Sequence, residues 1–205
     1  MGQIAIVILA AGRGSRFGDH SPKPLALLAG RSLISYALTA AFDSGLAPVL
    51  LVLGYGYQKV VSSVPPSVKI VHNPSWQCGI ASSLKAALRV LEPYKSIEAL
   101  CIGLADQPLV GAASYQHLVS AYYEGASFAV ATYGGFRRNP VLLARSMWHN
   151  AMKLEGDEGA KQLMQVHPVV EVDCDGTGNP VDVDTKDELQ QLETNILLPL
   201  SLELN

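Results

Sequence analysis

Short apolar segments alternate with longer amphipathic segments along most of this chain of 205 residues. Short runs of Val, Ile and Leu predict strands buried on both faces, and apolar residues at three- and four-residue steps predict helices that cover them. The predicted strands are Ile4–Ala10, Val49–Leu53, Val68–His72, Ala99–Leu104 and Phe128–Tyr133, and the predicted helices are Ser32–Ser44, Ile80–Leu91 and Ser114–Gly125. The alternation predicts an α/β fold, a three-layer α/β/α sandwich around a mostly parallel, Rossmann-like sheet.

The second half of the chain is less regular. Helices are predicted at Arg145–Leu154, Gly159–Gln165 and Lys186–Glu193, and extended segments at Val169–Cys174 and Val181–Val183. The apolar end, residues 196–202, is expected to cover a sheet edge or to meet a second subunit. Since no repeat or low-complexity linker interrupts the chain, we predict a single domain.

Composition and charge narrow the class of protein. Hydrophobic residues make up 49% and charged residues 16% of the chain, which favours a large apolar interior. Lys and Arg are scattered and the formal net charge is -3, so nucleic acid is not expected as a partner. No apolar run is long enough to cross a membrane and the first residues lack a basic leader, so we expect a cytoplasmic protein. Cys78, Cys101 and Cys174 are too few and too far apart for a disulfide framework or a zinc knuckle.

A loop rich in glycine follows the first predicted strand. Residues 11–18 read AGRGSRFG, and Lys23 follows within SPKPL. Glycines let backbone N–H groups approach phosphate oxygens, while Arg and Lys neutralise the phosphate charge. The sequence therefore predicts a polyphosphate site here. A turn that serves only chain reversal is the alternative, and it would leave the cations Arg13, Arg16 and Lys23 without a role.

Two other phosphate-binding motifs do not fit this loop. A dinucleotide-binding fingerprint requires glycine at the position of Phe17, and no acidic residue follows the second long strand, which ends in Leu53, Gly54 and Tyr55. A P-loop requires a glycine, four residues, and then Gly-Lys-Ser or Gly-Lys-Thr, a run that this chain lacks. Neither hydride transfer with NAD nor P-loop chemistry is therefore expected.

Acidic residues follow two further predicted strands. Asp106 comes directly after Ala99–Leu104, at the edge where open α/β sheets bind ligands. Asp182 and Asp184 flank Val183, and either one can face the site while the other caps the next helix. Because Mg²⁺ binds one or two carboxylates together with phosphate oxygens, we predict a magnesium site of Asp106 with Asp184 or Asp182. The alternative for each acid is a turn or cap residue.

The motifs resemble a known family. Residues 9–12 (LAAG), Arg16 and Lys23 with Pro24 resemble the signature of nucleotidyltransferases with a glycosyltransferase-A type fold. Residues 73–76 (NPSW), 82–84 (SSL), 106–108 (DQP), 156–160 (GDEGA) and 182–185 (DVDT) resemble motifs of molybdenum cofactor cytidylyltransferases and related MobA-like proteins. The resemblance covers most of the chain. It implies a single nucleotidyltransferase domain, with a nucleotide-binding half at residues 1–110 and an acceptor-binding half at residues 111–205.

This resemblance implies an enzyme that moves a nucleotide onto a phosphorylated acceptor and releases pyrophosphate, with Mg²⁺ as cofactor. Its catalytic residues would be Arg16, Lys23 and Asp106, and the late metal ligand would be Asp184. The residues expected to bind the nucleotide are Leu9, Ala10, Ala11, Gly12, Arg13, Gly14, Ser15, Lys23, Gly79, Ser82 and Ser83.

Both the family resemblance and individual residues indicate which base the bound nucleotide carries. The LAAG and DQP forms are those of CTP users, so CTP is expected in preference to GTP. A glycine turn followed by hydroxyls at a helix start, Gly79 with Ser82 and Ser83, can hydrogen-bond a pyrimidine edge, although Ser82 is equally expected as a helix cap. Trp76 and Trp148 are interpreted as packing residues rather than as base platforms.

One segment departs from the family pattern. Where molybdenum cofactor enzymes have Gly-His-Pro, this chain has Arg137, Arg138 and Asn139 before Pro140. We expect the paired arginines to bind a phosphate of the acceptor. The expected acceptor is molybdopterin, with a molybdoenzyme or its maturation factor as a protein partner. The alternatives are a cytidylyl- or uridylyltransferase for a sugar or alcohol phosphate, and a non-catalytic maturation factor that binds a cofactor.

Overall fold

A computed structural model of the protein describes residues 2–18, 21–157 and 159–202. The strands are β1 Gln3–Ala10, β2 Leu27–Leu28, β3 Arg31–Ser32, β4 Val49–Leu53, β5 Lys69–His72, β6 Ile97–Leu104, β7 Phe128–Tyr133, β8 Phe136–Ala144 and β9 Val170–Asp173. The α-helices are α1 Leu33–Asp43, α2 Tyr57–Val61, α3 Ile80–Leu91, α4 Ala112–Tyr123, α5 Trp148–Ala151, α6 Ala160–Leu163 and α7 Lys186–Leu202. Single 3₁₀ turns cover Ser15–Phe17, Lys23–Leu25, Trp76–Cys78 and Arg145–Met147.

Seven strands form the central sheet in the order β5-β4-β1-β6-β8-β7-β9. Strands β5, β4, β1 and β6 pair in parallel, and β9 pairs in parallel with β7. Strand β8 runs antiparallel to both of its neighbours, β6 and β7. Strands β2 and β3 form a separate hairpin. The prediction of a mostly parallel sheet is confirmed.

Alternate side chains of β1 face two separate hydrophobic layers, as expected for a strand buried on both faces. Ile6 and Ile8 pack in the layer that contains α1 and α4. Val7 and Leu9 pack on the opposite face, in the layer that contains α3, α5 and α6. The predicted three-layer α/β/α arrangement is therefore confirmed.

Several elements of the first half have the predicted bounds. Strands β4 and β7 and helix α3 begin and end where the pattern places them. Helix α1 begins just after Ser32, because the Ser32 hydroxyl accepts the N–H of Ser35 as an N-cap. Local apolar period and capping chemistry are sufficient to predict these elements.

The second half differs more from its prediction. The helices predicted at residues 145–154 and 159–165 shorten to the single turns α5 and α6, whereas α7 extends past Glu193 to Leu202. Strand β8 was not predicted from the apolar pattern, because three polar residues and Pro140 interrupt it. Val130 of β7 pairs with Val141 and Ala131 pairs with Arg138, so Asn139 and Pro140 form a bulge in β8, which lets a proline lie in a central strand.

A small hydrophobic cluster joins the chain end to the loops near the sheet. Its buried members are Phe17, Leu28, Leu33, Val183 and Leu192, and Ile196 of α7 packs against them. Ile196 therefore contacts this cluster rather than an edge of the central sheet, and the side chains of residues 197–202 lie outside the described part of the structure. Among the described residues, no helix is long and apolar enough to cross a membrane.

Gly103 in β6 leaves room for the side chain of Tyr115 on α4. A Cβ atom at Gly103 would overlap the Tyr115 hydroxyl and lie 3.1 Å from Ile8 Cδ1, and Tyr115 is only 2% exposed.

We expect Gly103→Ala to lower the free energy of unfolding by about 1–3 kcal/mol, because this part of the core is already filled. Urea unfolding measures the loss. Combining Gly103→Ala with Tyr115→Phe removes the overlapping oxygen and should cost less than the sum of the single changes, so strict additivity would contradict this explanation.

Candidate active site

A cavity of about 420 Å³ opens at the carboxyl ends of β1 and β6. These strands are neighbours, and the Ala105 N–H donates to the Leu9 carbonyl at 3.1 Å, so the loop after β1 and the acid after β6 meet at one edge. Twelve of the predicted site residues line the cavity: Leu9, Ala10, Ala11, Gly12, Gly14, Ser15, Arg16, Lys23, Gly79, Ser83, Asp106 and Asp184.

The ammonium group of Lys23 lies between two carboxylates. Its Nζ donates to Asp106 Oδ2 at 2.6 Å and to Asp184 Oδ1 at 3.1 Å, while Arg16 Nη2 lies 2.8 Å from Asp184 Oδ2. Burial by itself lowers the pKa of Lys23, but the charges and hydrogen bonds of Asp106 and Asp184 outweigh burial and raise the pKa above its ordinary value. Lys23 is therefore a cation at neutral pH.

The glycine loop wraps closely around the stem of Lys23. Gly14 has a φ of 62°, and a Cβ atom there would lie 2.9 Å from Lys23 Cβ. The Phe17 N–H closes the turn on the Gly14 carbonyl at 2.8 Å. Within the part of the chain that the structure describes, the backbone N–H groups of residues 12–15 donate to no protein atom. These donors form the kind of cradle that binds phosphate oxygens.

Val183 separates the two late acids. Its side chain is fully buried and its N–H donates to the Asp106 carbonyl at 2.8 Å. Asp184 faces the cavity and Lys23, whereas Asp182 Oδ1 accepts from Gln107 Nε2 at 3.0 Å and does not line the cavity. The prediction of an extended strand at Val181–Val183 is wrong, because this segment pairs with no strand. It is held by side-chain contacts and by the backbone hydrogen bond from Val183 to Asp106.

Asp106 and Asp184 converge on a single cation, the Lys23 ammonium. Two carboxylates are the protein ligands that Mg²⁺ or Mn²⁺ accepts together with phosphate oxygens and water. Among the described residues, no group of three or more His, Cys, Asp or Glu side chains can hold a metal by itself. The residues therefore fit a divalent cation that arrives with phosphate, and not a closed protein metal site.

The start of α3 forms another wall of the cavity. Asn73 Nδ2 donates to Ser82 Oγ at 2.8 Å and to Ser83 Oγ at 3.0 Å. Ser83 lines the cavity. Ser82 does not, and its Oγ lies 2.8 Å from the Gly79 carbonyl, within the first turn of the helix. The structure therefore brings Gly79 and Ser83 to the cavity but not Ser82. The alternative role of Ser82 as a helix cap is also wrong, because Gly79 is the N-cap of α3 and the Ser82 hydroxyl donates to the Gly79 carbonyl instead of accepting a backbone N–H.

Arg13 and the segment Arg137–Asn139 lie outside the residues that line the cavity. The Arg13 guanidinium lies 5.7 Å from the centre of the Tyr55 ring. On β8, Arg137 Nη2 pairs with Glu171 Oε1 at 2.7 Å, and Arg138 Nη1 donates to the Arg137 carbonyl at 3.2 Å. The structure does not bring these residues to Asp106.

Seven cavity residues were not assigned to the site from sequence: Pro24, Leu33, Trp76, Ile80, Leu104, Ala105 and Asp157. Trp76 was expected to pack, and it does contact Tyr55 edge to face as well as line the cavity. Trp148 is 3% exposed, as expected for a packing residue. The sequence signal for Asp157 is its place in residues 156–160 (GDEGA), which resemble a motif of MobA-like proteins but were given no role; Glu158 of this motif lies outside the described residues.

A parallel sheet with a cationic glycine loop and two acids at its carboxyl edge defines a nucleotide-binding α/β protein. Residues 6–172 match the MobA-like NTP transferase domain. The chain belongs to this family of nucleotidyltransferases, and the resemblance seen in its motifs is confirmed at the level of the family.

One relative and two solved structures illustrate what this chain is similar to. Bifunctional protein GlmU of Burkholderia lata is 36% identical over 121 residues, which cover 58% of this chain and 26% of GlmU. The chain thus spans about a quarter of the length of that relative. The crystal structure of Rv0371c from Mycobacterium tuberculosis has a TM-score of 0.82 and 28% identity, covering 94% of this chain and 98% of that one. Its complex with manganese has a TM-score of 0.76 and 27% identity, covering 93% and 97%.

Asp182 provides a test of the electrostatics beside the cavity. Burial, followed by repulsion from Asp106, raises the pKa of Asp182 above its ordinary value of 3.8, and the hydrogen bond from Gln107 opposes this only in part. A carboxyl group with a raised pKa favours folding when it is protonated, so ionised Asp182 lowers stability at neutral pH and ceases to do so below pH 3.8.

We expect Asp182→Asn, which keeps an oxygen for Gln107, to raise the free energy of unfolding at neutral pH. The gain should shrink as the pH falls through the raised pKa, because the wild-type carboxyl then becomes neutral as well. Denaturant unfolding of both proteins in EDTA, from neutral to acidic pH, measures the difference. A gain that does not change with pH would show that charge is not its cause.

Proposed function

We propose that this protein transfers CMP from CTP to a phosphate group of molybdopterin and releases pyrophosphate, with Mg²⁺ as its cofactor. The observation that carries the proposal is the convergence of Arg16, Lys23, Asp106 and Asp184 at the glycine loop, which supports joint binding of a triphosphate and a divalent cation. The LAAG and DQP forms support CTP over GTP. A molybdoenzyme or its maturation factor would then receive the product.

The proposed reaction is an in-line displacement that needs no protein nucleophile. An oxygen of the acceptor phosphate attacks the α-phosphorus of CTP, and the bond from this phosphorus to the bridging oxygen of pyrophosphate breaks. Arg16, Lys23 and the loop N–H groups stabilise the charge that develops on the leaving pyrophosphate. Mg²⁺ held by Asp106 and Asp184 would neutralise phosphate oxygens.

We assign nucleotide binding to the half of the chain at residues 1–110 and acceptor binding to the half at residues 111–205. Most residues that line the cavity precede residue 110, which supports the first assignment. Asp157 and Asp184 reach the cavity from the second half. Arg137, Arg138 and Asn139 on β8 are the candidate acceptor contacts, outside the nucleotide cavity.

A cytidylyl- or uridylyltransferase for a sugar or alcohol phosphate is the second candidate. The Arg137–Asn139 segment favours it, because this segment replaces the Gly-His-Pro of molybdenum cofactor enzymes. The segment also bears an ion pair to Glu171 that a small Gly-His pair would lack. A non-catalytic maturation factor would bind the nucleotide without transferring it.

A thermal-shift screen with CTP, GTP, UTP and ATP, each with Mg²⁺, tests the nucleotide. A ligand at 100 times its dissociation constant stabilises the native state by about 2.7 kcal/mol, so CTP should raise Tm most. Pyrophosphate release with molybdopterin or with a sugar phosphate then identifies the acceptor. Stabilisation by none of the four nucleotides would contradict the proposal, and CTP binding without pyrophosphate release from any acceptor would favour the non-catalytic alternative.

Substitutions of the ion cluster test the proposed chemistry. We expect Lys23→Met and Asp106→Asn each to lower the rate of pyrophosphate release about 10²–10³-fold at saturating CTP, because each removes a group that stabilises charge in the transition state. Lys153→Met, which removes an exposed cation outside the cavity, is the matched control and should keep the wild-type rate. Circular dichroism checks that the variants fold. Wild-type turnover of Asp106→Asn would disprove the assignment of Asp106 to metal and catalysis.

A further inference from the structure

The wall at the start of α3 is remote from the acids that bind Lys23. This wall follows β5, and Asp106 follows β6, three strand positions away in the sheet. Neighbouring strands are about 4.8 Å apart, so the ends of β5 and β6 are separated by roughly 14 Å. A triphosphate bound at the glycine loop and Asp106 therefore extends its base toward the α3 wall, where Trp76, Gly79, Ile80 and Ser83 line the cavity.

Hydrogen bonds from the start of α3 hold residues 156 and 157 against this wall. The Ala81 N–H donates to the Gly156 carbonyl at 3.1 Å, and the Ile80 N–H donates to Asp157 Oδ1 at 3.2 Å. Gly79 has a φ of 88°, and a Cβ atom there would overlap the Gly156 carbonyl. These contacts place the Asp157 carboxylate in the cavity wall. One N–H uses only part of the hydrogen-bonding capacity of a carboxylate, so Asp157 can accept further bonds.

Ser83 supplies a donor on the same wall. It is one turn from Ile80 on the same face of α3, and it is 3% exposed. Its oxygen accepts from Asn73 Nδ2, so its own O–H can donate into the cavity. The wall thus combines an acceptor, Asp157, with a donor, Ser83.

We propose that Asp157 selects the base by accepting a hydrogen bond from the exocyclic amino group of cytosine. Cytosine presents this amino donor beside the acceptors N3 and O2, which matches the acceptor and donor of the wall. Uracil presents the reverse, a carbonyl oxygen beside N3–H, and its carbonyl would meet a carboxylate with no proton between them. This inference rests on the proposed function and names the residue that makes the site specific for CTP rather than UTP.

The test compares CTP and UTP binding to the wild type and to Asp157→Asn by titration calorimetry with Mg²⁺ and no acceptor. Asparagine keeps an oxygen for the Ile80 N–H and replaces the other carboxylate oxygen with a donor that suits uracil. We expect the wild type to prefer CTP, and the ratio of CTP to UTP affinity to fall about 10- to 100-fold in the variant. Glu155→Gln removes the same charge two residues earlier, outside the cavity lining, and should keep the wild-type ratio.

Each outcome decides the inference. An unchanged ratio in folded Asp157→Asn, or an equal loss of affinity for both nucleotides, overturns the role of Asp157 and leaves nucleotide transfer intact. Tighter binding of UTP than of CTP to the wild type overturns the assignment to cytosine. Binding of no nucleotide by the wild type overturns the proposed function itself, and the inference with it. If Asp157→Asn does not fold, Asp157→Ser, which can still cap the Ile80 N–H, replaces it.

Discussion

The buried ammonium of Lys23 is the interaction on which the rest of the site depends. A buried charge is costly unless it is paired, and the partners of Lys23 lie 83 and 161 residues later in the chain. The ion cluster therefore forms only when three distant segments are in place. Parallel pairing of β1 with β6 brings Asp106 to the glycine loop, and burial of Val183 brings Asp184. The site therefore depends both on the pairing of the sheet and on the packing of the chain end against the loops beside it.

The charges in the cluster explain why a metal and a triphosphate belong together here. Arg16 and Lys23 carry two positive charges, and Asp106 and Asp184 carry two negative ones, so the cluster is formally neutral. Asp157 and Asp182 add further negative charge at or near the cavity. A triphosphate entering alone would not find its charge offset by the protein. In the proposed function, a divalent cation shared with Asp106 and Asp184 would supply the missing positive charge.

Local chemistry made part of this structure predictable from sequence. The strands of the parallel core and the glycine loop carry their signals in consecutive residues, and Asp106 follows a strand whose carboxyl end had to lie beside that loop. Strand β8 lacked such a signal, because its place depends on pairing with β6 and β7 and on a bulge that accommodates Pro140. The residue pattern alone also left the choice between Asp182 and Asp184 open, and only the family resemblance favoured Asp184. It follows from the burial of Val183 among Phe17, Leu28, Leu33 and Leu192, residues far from it in sequence.

The two ends of the cavity are built on different physical principles, and this explains why the phosphate end was predicted more fully from sequence than the base end, where Gly79 and Ser83 were predicted but Asp157 was not. Phosphates are held by backbone N–H groups and by individual cations, whose attraction tolerates small displacements, and these groups leave a visible pattern of Gly, Arg and Lys. A base is read by short hydrogen bonds that require fixed donors and acceptors. Here the fixing is done by backbone contacts between Gly156 and the start of α3, at a Gly79 that has no space for a side chain. The proposed selectivity for the base thus depends on how two distant segments pack, because that packing fixes the position of the Asp157 carboxylate at their junction.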